Sequence, residues 1–189
     1  LFAGLNAVPK RSYLAAYSSR IDRRGTERLM ATWFDAVHGA GVGRGASIDL
    51  DFHTVPANAQ VEPLEKHYVS SRSRSQKGIL VFLARDATER VLCYSQAGIP
   101  KAQQPDEILR FVEFWTQHTG HPPEELVFDS QLTTYANLSR LNQQGIQFMT
   151  LRRRSKKMLA KIWSRPASAW QRITLRSLTR TFRTPKVLD

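Results

Sequence analysis

Acidic residues are almost missing from the last third of this chain. After Asp129 the next carboxylate is Asp189, the final residue, whereas residues 130–189 hold 13 lysine and arginine side chains. Residues 1–129 hold 15 basic and 15 acidic side chains, so the whole net charge of +12 lies in the last 60 residues. This excess favours a polyanionic partner such as a nucleic acid, because neutralising phosphates releases their bound counterions.

Cysteine and long apolar runs are also scarce. Cys93 is the one cysteine, which excludes an internal disulfide and fits a reducing, intracellular setting. No run of 18 apolar residues occurs, so we predict no membrane-spanning helix and no membrane partner. The 41% hydrophobic content is enough for a folded core in a chain of 189 residues.

What the sequence does contain is a regular succession of strands and helices. Hydrophobic periodicity and turn residues predict elements in the order β-β-β-α-β-α-β, which favours an α/β fold with a mixed sheet and helices on its faces. The predicted strands cover about 47–55, 78–84, 90–95, 125–129 and 146–151, and the predicted helices about 104–118, 132–144 and 156–163, the last capped by Ser155.

Two flanking segments are predicted from composition. Residues 1–40 are predicted to be helical, with Leu29, Trp33 and Val37 as the inner stripe of one helix. Residues 57–77 are polar and rich in serine and arginine, so we predict a flexible loop there.

Two aspartates lie where a metal site could be built on rigid elements. Asp51 belongs to the alternating run Ser47–Val55, and Asp129 directly follows the apolar run Leu126–Phe128. Convergent carboxylates can hold Mg²⁺, a hard cation that prefers oxygen ligands. Asp129 has an alternative role as the N-cap of the helix that follows it.

Two other residues of the same predicted strand as Asp51 are candidates for the site. Asp49 and His53 are each two residues away from Asp51, so all three side chains share one face of the predicted strand. Asp49 is the alternative first metal ligand, and His53 is either a substrate contact or a polar core residue.

The chain resembles a bacterial insertion-sequence DDE transposase. The resemblance runs through nearly the whole chain and is strongest between about residues 47 and 163. Four segments carry it, namely Asp49–Pro56, Leu64–Tyr68, Leu126–Leu138 and Gly145–Arg154. It implies a ribonuclease H-like catalytic core in which the first and fourth predicted strands are neighbours. By motif placement Asp51 matches the first aspartate of the family's catalytic set and Asp129 the second.

The resemblance also implies an activity. Such enzymes use Mg²⁺ or Mn²⁺ to hydrolyse a phosphodiester at the transposon end and to transfer the freed strand to target DNA. Their partners are the transposon ends, the target and further copies of the same chain, so we expect DNA binding and a homo-oligomer when full length. The resemblance further implies that the protein is bacterial and cytoplasmic.

The third carboxylate of the family's set has no match, because no glutamate follows Glu125. We therefore expect the chain to be a piece of a longer enzyme, incomplete at both ends, and the activity of the isolated chain stays open. Two alternatives remain: a catalytically inactive DNA-binding remnant, and another ribonuclease H-like nuclease.

A basic run in the last third is the predicted DNA contact. Arginine binds phosphates in a bidentate manner, and such backbone contacts position DNA without reading its sequence. The predicted contacts are Arg152, Arg153, Arg154, Lys156 and Lys157, with Arg72 and Arg74 as further candidates.

Three parts are predicted along the chain. Residues 1–45 form an N-terminal helical segment, and residues 46–163 form the partial ribonuclease H-like core. Residues 164–189 form a basic segment that we interpret as the start of an inserted β-rich region.

Overall fold

A computed structural model describes residues 10–13, 21–57, 64–69, 73–129, 132–152, 155–171, 173–174 and 187–188. The chain divides into two compact units, residues 1–151 and residues 152–189. The second unit begins at Arg152, the first residue of the basic run, and the predicted part boundaries at residues 45 and 163 stay a prediction.

The first unit is built on a six-stranded mixed sheet. Its order is β2-β3-β1-β5-β6, with β4 also paired to β3. Strand β1 is antiparallel to β3 and parallel to β5, which is in turn parallel to β6. The mixed α/β sheet is therefore confirmed. The strands are β1 (Ser47–Pro56), β2 (Lys66–Val69), β3 (Arg74–Asp86), β4 (Leu92–Ala97), β5 (Glu125–Phe128) and β6 (Gln147–Thr150).

The loop predicted over residues 57–77 is wrong in its second half. Strand β2 lies there and pairs antiparallel with the first residues of β3, from Lys66 opposite Lys77 to Val69 opposite Arg74. Burial alternates along β2, with His67 and Val69 buried. The polar composition hid this period of two, because only one apolar side chain in the strand is buried.

Among the described residues, three α-helices of nine or more residues belong to the first unit and one of eight residues belongs to the second. None of the described helices is long and apolar enough to cross a membrane. Gly120 ends the second helix in the left-handed conformation, and Ser155 caps the fourth, both as predicted. The helices are α1 (Arg23–Gly39), α2 (Glu107–Thr119), α3 (Tyr135–Gln143) and α4 (Lys156–Trp163).

The predicted inner stripe of α1 is wrong by about one residue. Leu29 and Trp33 are 62% and 51% exposed, whereas Phe34 is 2% exposed. The ring of Phe34 packs edge-on against Trp115 of α2. Trp33 lies at the rim, where its indole N–H donates to the carbonyl oxygen of Leu92 at 3.4 Å. Helix α1 therefore packs on the core through the face next to the one predicted.

The core lies between one face of the sheet and helix α2. Ile48 and Leu50 of β1 are buried there with Phe82 of β3 and Phe111 of α2. Because side chains alternate across a strand, the odd-numbered residues of β1 project to the opposite face of the sheet. Burying the apolar residues thus places Asp51 and its neighbours where water can reach them.

A buried carboxylate fixes the chain just before β1. Asp86, at the end of β3, is fully buried and accepts backbone N–H groups from Gly45 at 2.5 Å, Thr88 at 2.7 Å and Glu89 at 2.8 Å. These bonds join the loop that leads into β1 to the turn between β3 and β4. The start of β1 is therefore set by side-chain chemistry as well as by strand pairing.

Candidate functional site

Asp51 and Asp129 come together where β5 ends beside the middle of its parallel neighbour β1. The register pairs Ser47 with Glu125 and continues to Leu50 opposite Phe128, the last pair. One residue beyond this last pair are Asp51 in β1 and Asp129 just after the end of β5. Neighbouring strands lie about 4.8 Å apart, and residues paired in a parallel register share a face. The pairing of β1 with β5 therefore brings the two carboxylates to one place.

Both aspartates line one open cleft at this end of the sheet, which we call the aspartate cleft. Its volume is about 620 Å³. Strand β1 continues to Pro56, beyond the end of β5, and its residues 51–54 line the cleft. The polar and charged side chains that line the cleft include Asp51, His53, Lys66, His67, Lys101, Gln104 and Asp129.

Asp49 differs from Asp51 in its surroundings. Its Oδ2 accepts from the Arg85 guanidinium at 2.7 Å, in an ion pair across β1 and β3, and it lies opposite Val127. Asp51 is exposed, and its Oδ1 accepts the backbone N–H of Phe52 at 2.8 Å. The arginine neutralises Asp49, so Asp51 is the better placed of the two to bind a cation.

The alternative role for Asp129, as cap of the next helix, is filled by another residue. Thr134 is the N-cap of α3, and its hydroxyl accepts the N–H of Asn137 at 3.3 Å. The backbone carbonyl of Asp129 accepts the N–H of Leu132 at 3.1 Å. Asp129 is thus at the strand end, five residues before the cap.

The donor set of the aspartate cleft fits a hydrated divalent cation. Two carboxylates that converge at strand ends provide the hard oxygen ligands that Mg²⁺ takes, and Mg²⁺ commonly keeps several waters beside one or two carboxylates. Over the described residues, no group of three histidine, cysteine or acidic side chains is placed to hold a metal. The cleft therefore offers a partial ligand set, and Asp51 and Asp129 are its candidate members.

Histidines line the middle of the cleft. His53 is exposed on the face that Asp51 occupies, as expected from the strand period. His67 is 7% exposed, and burial together with the charge of Lys101 holds its pKa below 6.5. Its imidazole is therefore neutral at pH 7, so it adds no net charge to the cleft.

Sequence reasoning did not place Lys66, His67 and Lys101 in the site, although the segment Leu64–Tyr68, which holds the first two, carries the resemblance. Lys66, His67 and Lys101 lie on β2 and on the turn after β4, far in sequence from both aspartates. In β2 the local signal was a weak alternation, and Lys101 had none. The pairing of β2 with β3 brings Lys66 and His67 to the cleft, and the backbone N–H of Lys101 donates to the Glu65 carboxylate beside them.

The predicted DNA contacts are exposed wherever the structure describes them. Arg74 begins β3 in the first unit, whereas Arg152, Lys156 and Lys157 belong to the second unit, where the two lysines form the first turn of α4. Their role in DNA binding stays a prediction. The predicted contacts that lie outside the described residues are Arg72, Arg153 and Arg154.

A larger pocket, of about 820 Å³, lies beside α1 and α2, away from the aspartate pair. Its fully buried carboxylate, Glu107, accepts from the Tyr94 hydroxyl at 3.2 Å and from the Arg110 guanidinium at 2.9 Å. Burial and the charge of Glu107 raise the pKa of Tyr94. Because this carboxylate is already bonded to its neighbours, we assign it a structural role.

Comparison with known proteins gives little support at the level of sequence. No family model matches the chain, and no curated protein matches it. Among solved structures the chain is similar to the piggyBac transposase in a synaptic complex with hairpin DNA, with 13% identity and a TM-score of 0.46. The match covers 70% of this chain and 29% of that one, so this chain spans less than a third of that transposase's length. A likeness of this size does not assign the chain to a family.

Proposed function

We propose that this chain is part of a DNA transposase with a ribonuclease H-like core, which hydrolyses phosphodiesters and transfers strands with a divalent metal. The order of its main strands and the neighbouring positions of β1 and β5 agree with such a core. The resemblance of Asp49–Pro56 and Leu126–Leu138 to insertion-sequence transposases supports the same activity.

One observation carries the proposal, namely that the parallel register of β1 and β5 leads directly to Asp51 and Asp129. Two aspartates that the sequence separates by 78 residues line the same cleft. Nothing in the local sequence requires the two aspartates to come together.

Asp51 and Asp129 would hold Mg²⁺ or Mn²⁺, and a bound divalent ion would stabilise the attacking and leaving oxygens of an in-line phosphoryl displacement. The chain's own contribution is positional. Its strands would place two carboxylates at the reacting phosphodiester, and holding that group in place lowers the barrier by removing motional freedom beforehand.

The test is a titration of the purified chain with Mn²⁺, followed by electron paramagnetic resonance of the free ion. We expect Asp51→Asn and Asp129→Asn each to weaken Mn²⁺ binding at least about tenfold, a loss of ~1.4 kcal/mol. Asp49→Asn is the matched control. It removes a carboxylate from the same strand and face, but one already paired with Arg85. Equal losses in all three variants would refute the assignment.

A DNA-binding remnant is the second candidate, favoured by the lack of a third carboxylate near the pair among the described residues. It predicts DNA binding by a chain that takes up no Mn²⁺ at millimolar concentration. Nicking of supercoiled plasmid in Mn²⁺ separates the two, since a working core nicks and the Asp51→Asn variant does not. The bacterial, cytoplasmic setting and the homo-oligomer rest on the resemblance alone.

A further inference from the structure

Two lysines line the aspartate cleft and are free to bind an anion. Lys66 begins β2 and Lys101 lies in the turn after β4, and both are exposed. Neither ammonium group pairs with any carboxylate in the described parts of the chain. By contrast, the guanidinium groups of Arg85 and Arg110 are held by Asp49 and Glu107.

One carboxylate ties the turn that carries Lys101 to the start of β2. Glu65 directly precedes Lys66, and its Oε2 accepts the backbone N–H of Lys101 at 2.7 Å. The carbonyl of Glu65 accepts the N–H of Gly78 at 3.1 Å, which fixes it to β3. Because the Glu65 carboxylate bonds to a backbone N–H group, it ties the turn of Lys101 to β2 while both ammonium groups stay exposed.

Lys66 lies at a distance from Asp51 that the strand register gives. Asp51 pairs with Leu83 of β3, and Lys66 pairs with Lys77, six positions earlier in that strand. At a rise of ~3.3 Å per residue, six positions span up to roughly 20 Å. Phosphates along one DNA strand are spaced at about 3.4 Å of helix axis, so such a span corresponds to several nucleotides.

We propose that Lys66 and Lys101 form a phosphate-binding site for the DNA strand that enters the aspartate cleft, several nucleotides from the phosphodiester at the aspartates. Glu65 is its positioning residue. His67, the residue after Lys66 in β2, is buried, and burial lowers its pKa, so the positive charge lies on the two ammonium groups. That the bound DNA strand leads to the aspartates rests on the proposed function, whereas the phosphate contacts of the two lysines do not.

The test is DNA binding by fluorescence anisotropy, in EDTA so that no metal takes part. The probes are a labelled 20-nucleotide single strand and the corresponding duplex. For Lys66→Ala/Lys101→Ala we expect the slope of log affinity against log salt to flatten by about 1.4 on the single strand or 1.8 on the duplex, two phosphate contacts in either case. Affinity in 0.1 M salt should fall at least about tenfold.

Arg24→Ala/Arg28→Ala is the matched control, since it removes two exposed charges from α1, beside the other pocket. It should change the salt slope much less than the lysine double variant. Thermal unfolding of both proteins checks that each is folded. Lys66→Arg/Lys101→Arg should keep the slope of the original protein, because the charges remain.

The outcomes separate this inference from the proposed function. A flattened slope with Mn²⁺ binding intact supports both, and a flattened slope in a chain that binds no Mn²⁺ supports the phosphate site alone. An unchanged slope with both probes, or an equal loss in the arginine control, overturns the phosphate site whatever the metal titration gives.

Discussion

Replacing Gly45 by alanine should destabilise the protein, because the added methyl would collide with a buried carboxylate. A Cβ built at Gly45 would overlap Oδ2 of Asp86, at a separation that real side chains do not show. The carboxylate has no room to move without losing bonds, since it accepts three backbone N–H groups, one of them from Gly45 itself.

The magnitude follows from those bonds. Moving the carboxylate by more than half an ångström breaks one or two of them, and a hydrogen bond to a charged group contributes about 1.5–3 kcal/mol. We therefore expect Gly45→Ala to lower the free energy of unfolding by ~2–5 kcal/mol. Gly45 lies two residues before β1, so the change should also disturb the strand that carries Asp51.

The assay is urea unfolding followed by tryptophan fluorescence, for which buried Trp115 is a reporter. Gly39→Ala is the control, because a Cβ there meets nothing within 4 Å, and its effect should stay below about 1 kcal/mol. If Gly45→Ala unfolds within about 0.5 kcal/mol of the control, the carboxylate is not held as described and the reasoning fails.

Three further results are expected. Burial raises the pKa of Cys93 to about 11, so its alkylation at pH 8 should be ~100-fold slower in the folded than in the urea-unfolded chain, and equal rates would contradict its burial. Tyr94→Phe removes one donor from Glu107 and should cost ~1–2 kcal/mol in the same urea assay. Burial lowers the folded-state pKa of His67 and of His38, so the unfolded chain binds those protons more tightly. Stability should therefore fall as the pH drops below about 6.5, and His67→Gln should make that fall shallower in urea unfolding at pH 5 and 7.

Local sequence was a good guide to elements whose apolar residues repeat at a clear period. The helix that ends at Gly120 and the helix capped by Ser155 were both predicted, since their ends depend on short-range hydrogen bonds and on one left-handed glycine. Strand β1 was predicted from the alternation of Ile48 and Leu50 with polar residues. In each case the cause lies within a few residues.

Prediction from the sequence failed where contacts with neighbouring elements decide the structure. Strand β2 is polar on one side and buries a histidine on the other, so its alternation became visible only when it paired with β3. Helix α1 has apolar residues on more than one face. Packing against Trp115 buries Phe34, whereas Leu29 stays exposed. Periodicity alone gives the existence of a face but cannot say which of two adjacent faces meets the core.

The amino-acid sequence alone determined the strand carboxylates, the mixed α/β order and the basic last third, because each depends on residue type and short-range period. The tertiary structure decided that Asp51 meets Asp129, that Asp49 is held by Arg85, and that Lys66 and Lys101 share the cleft. Which of these residues come together depends on which strands pair and in what register. That choice is made by burying the apolar face of the whole sheet, so no local stretch of sequence contains it.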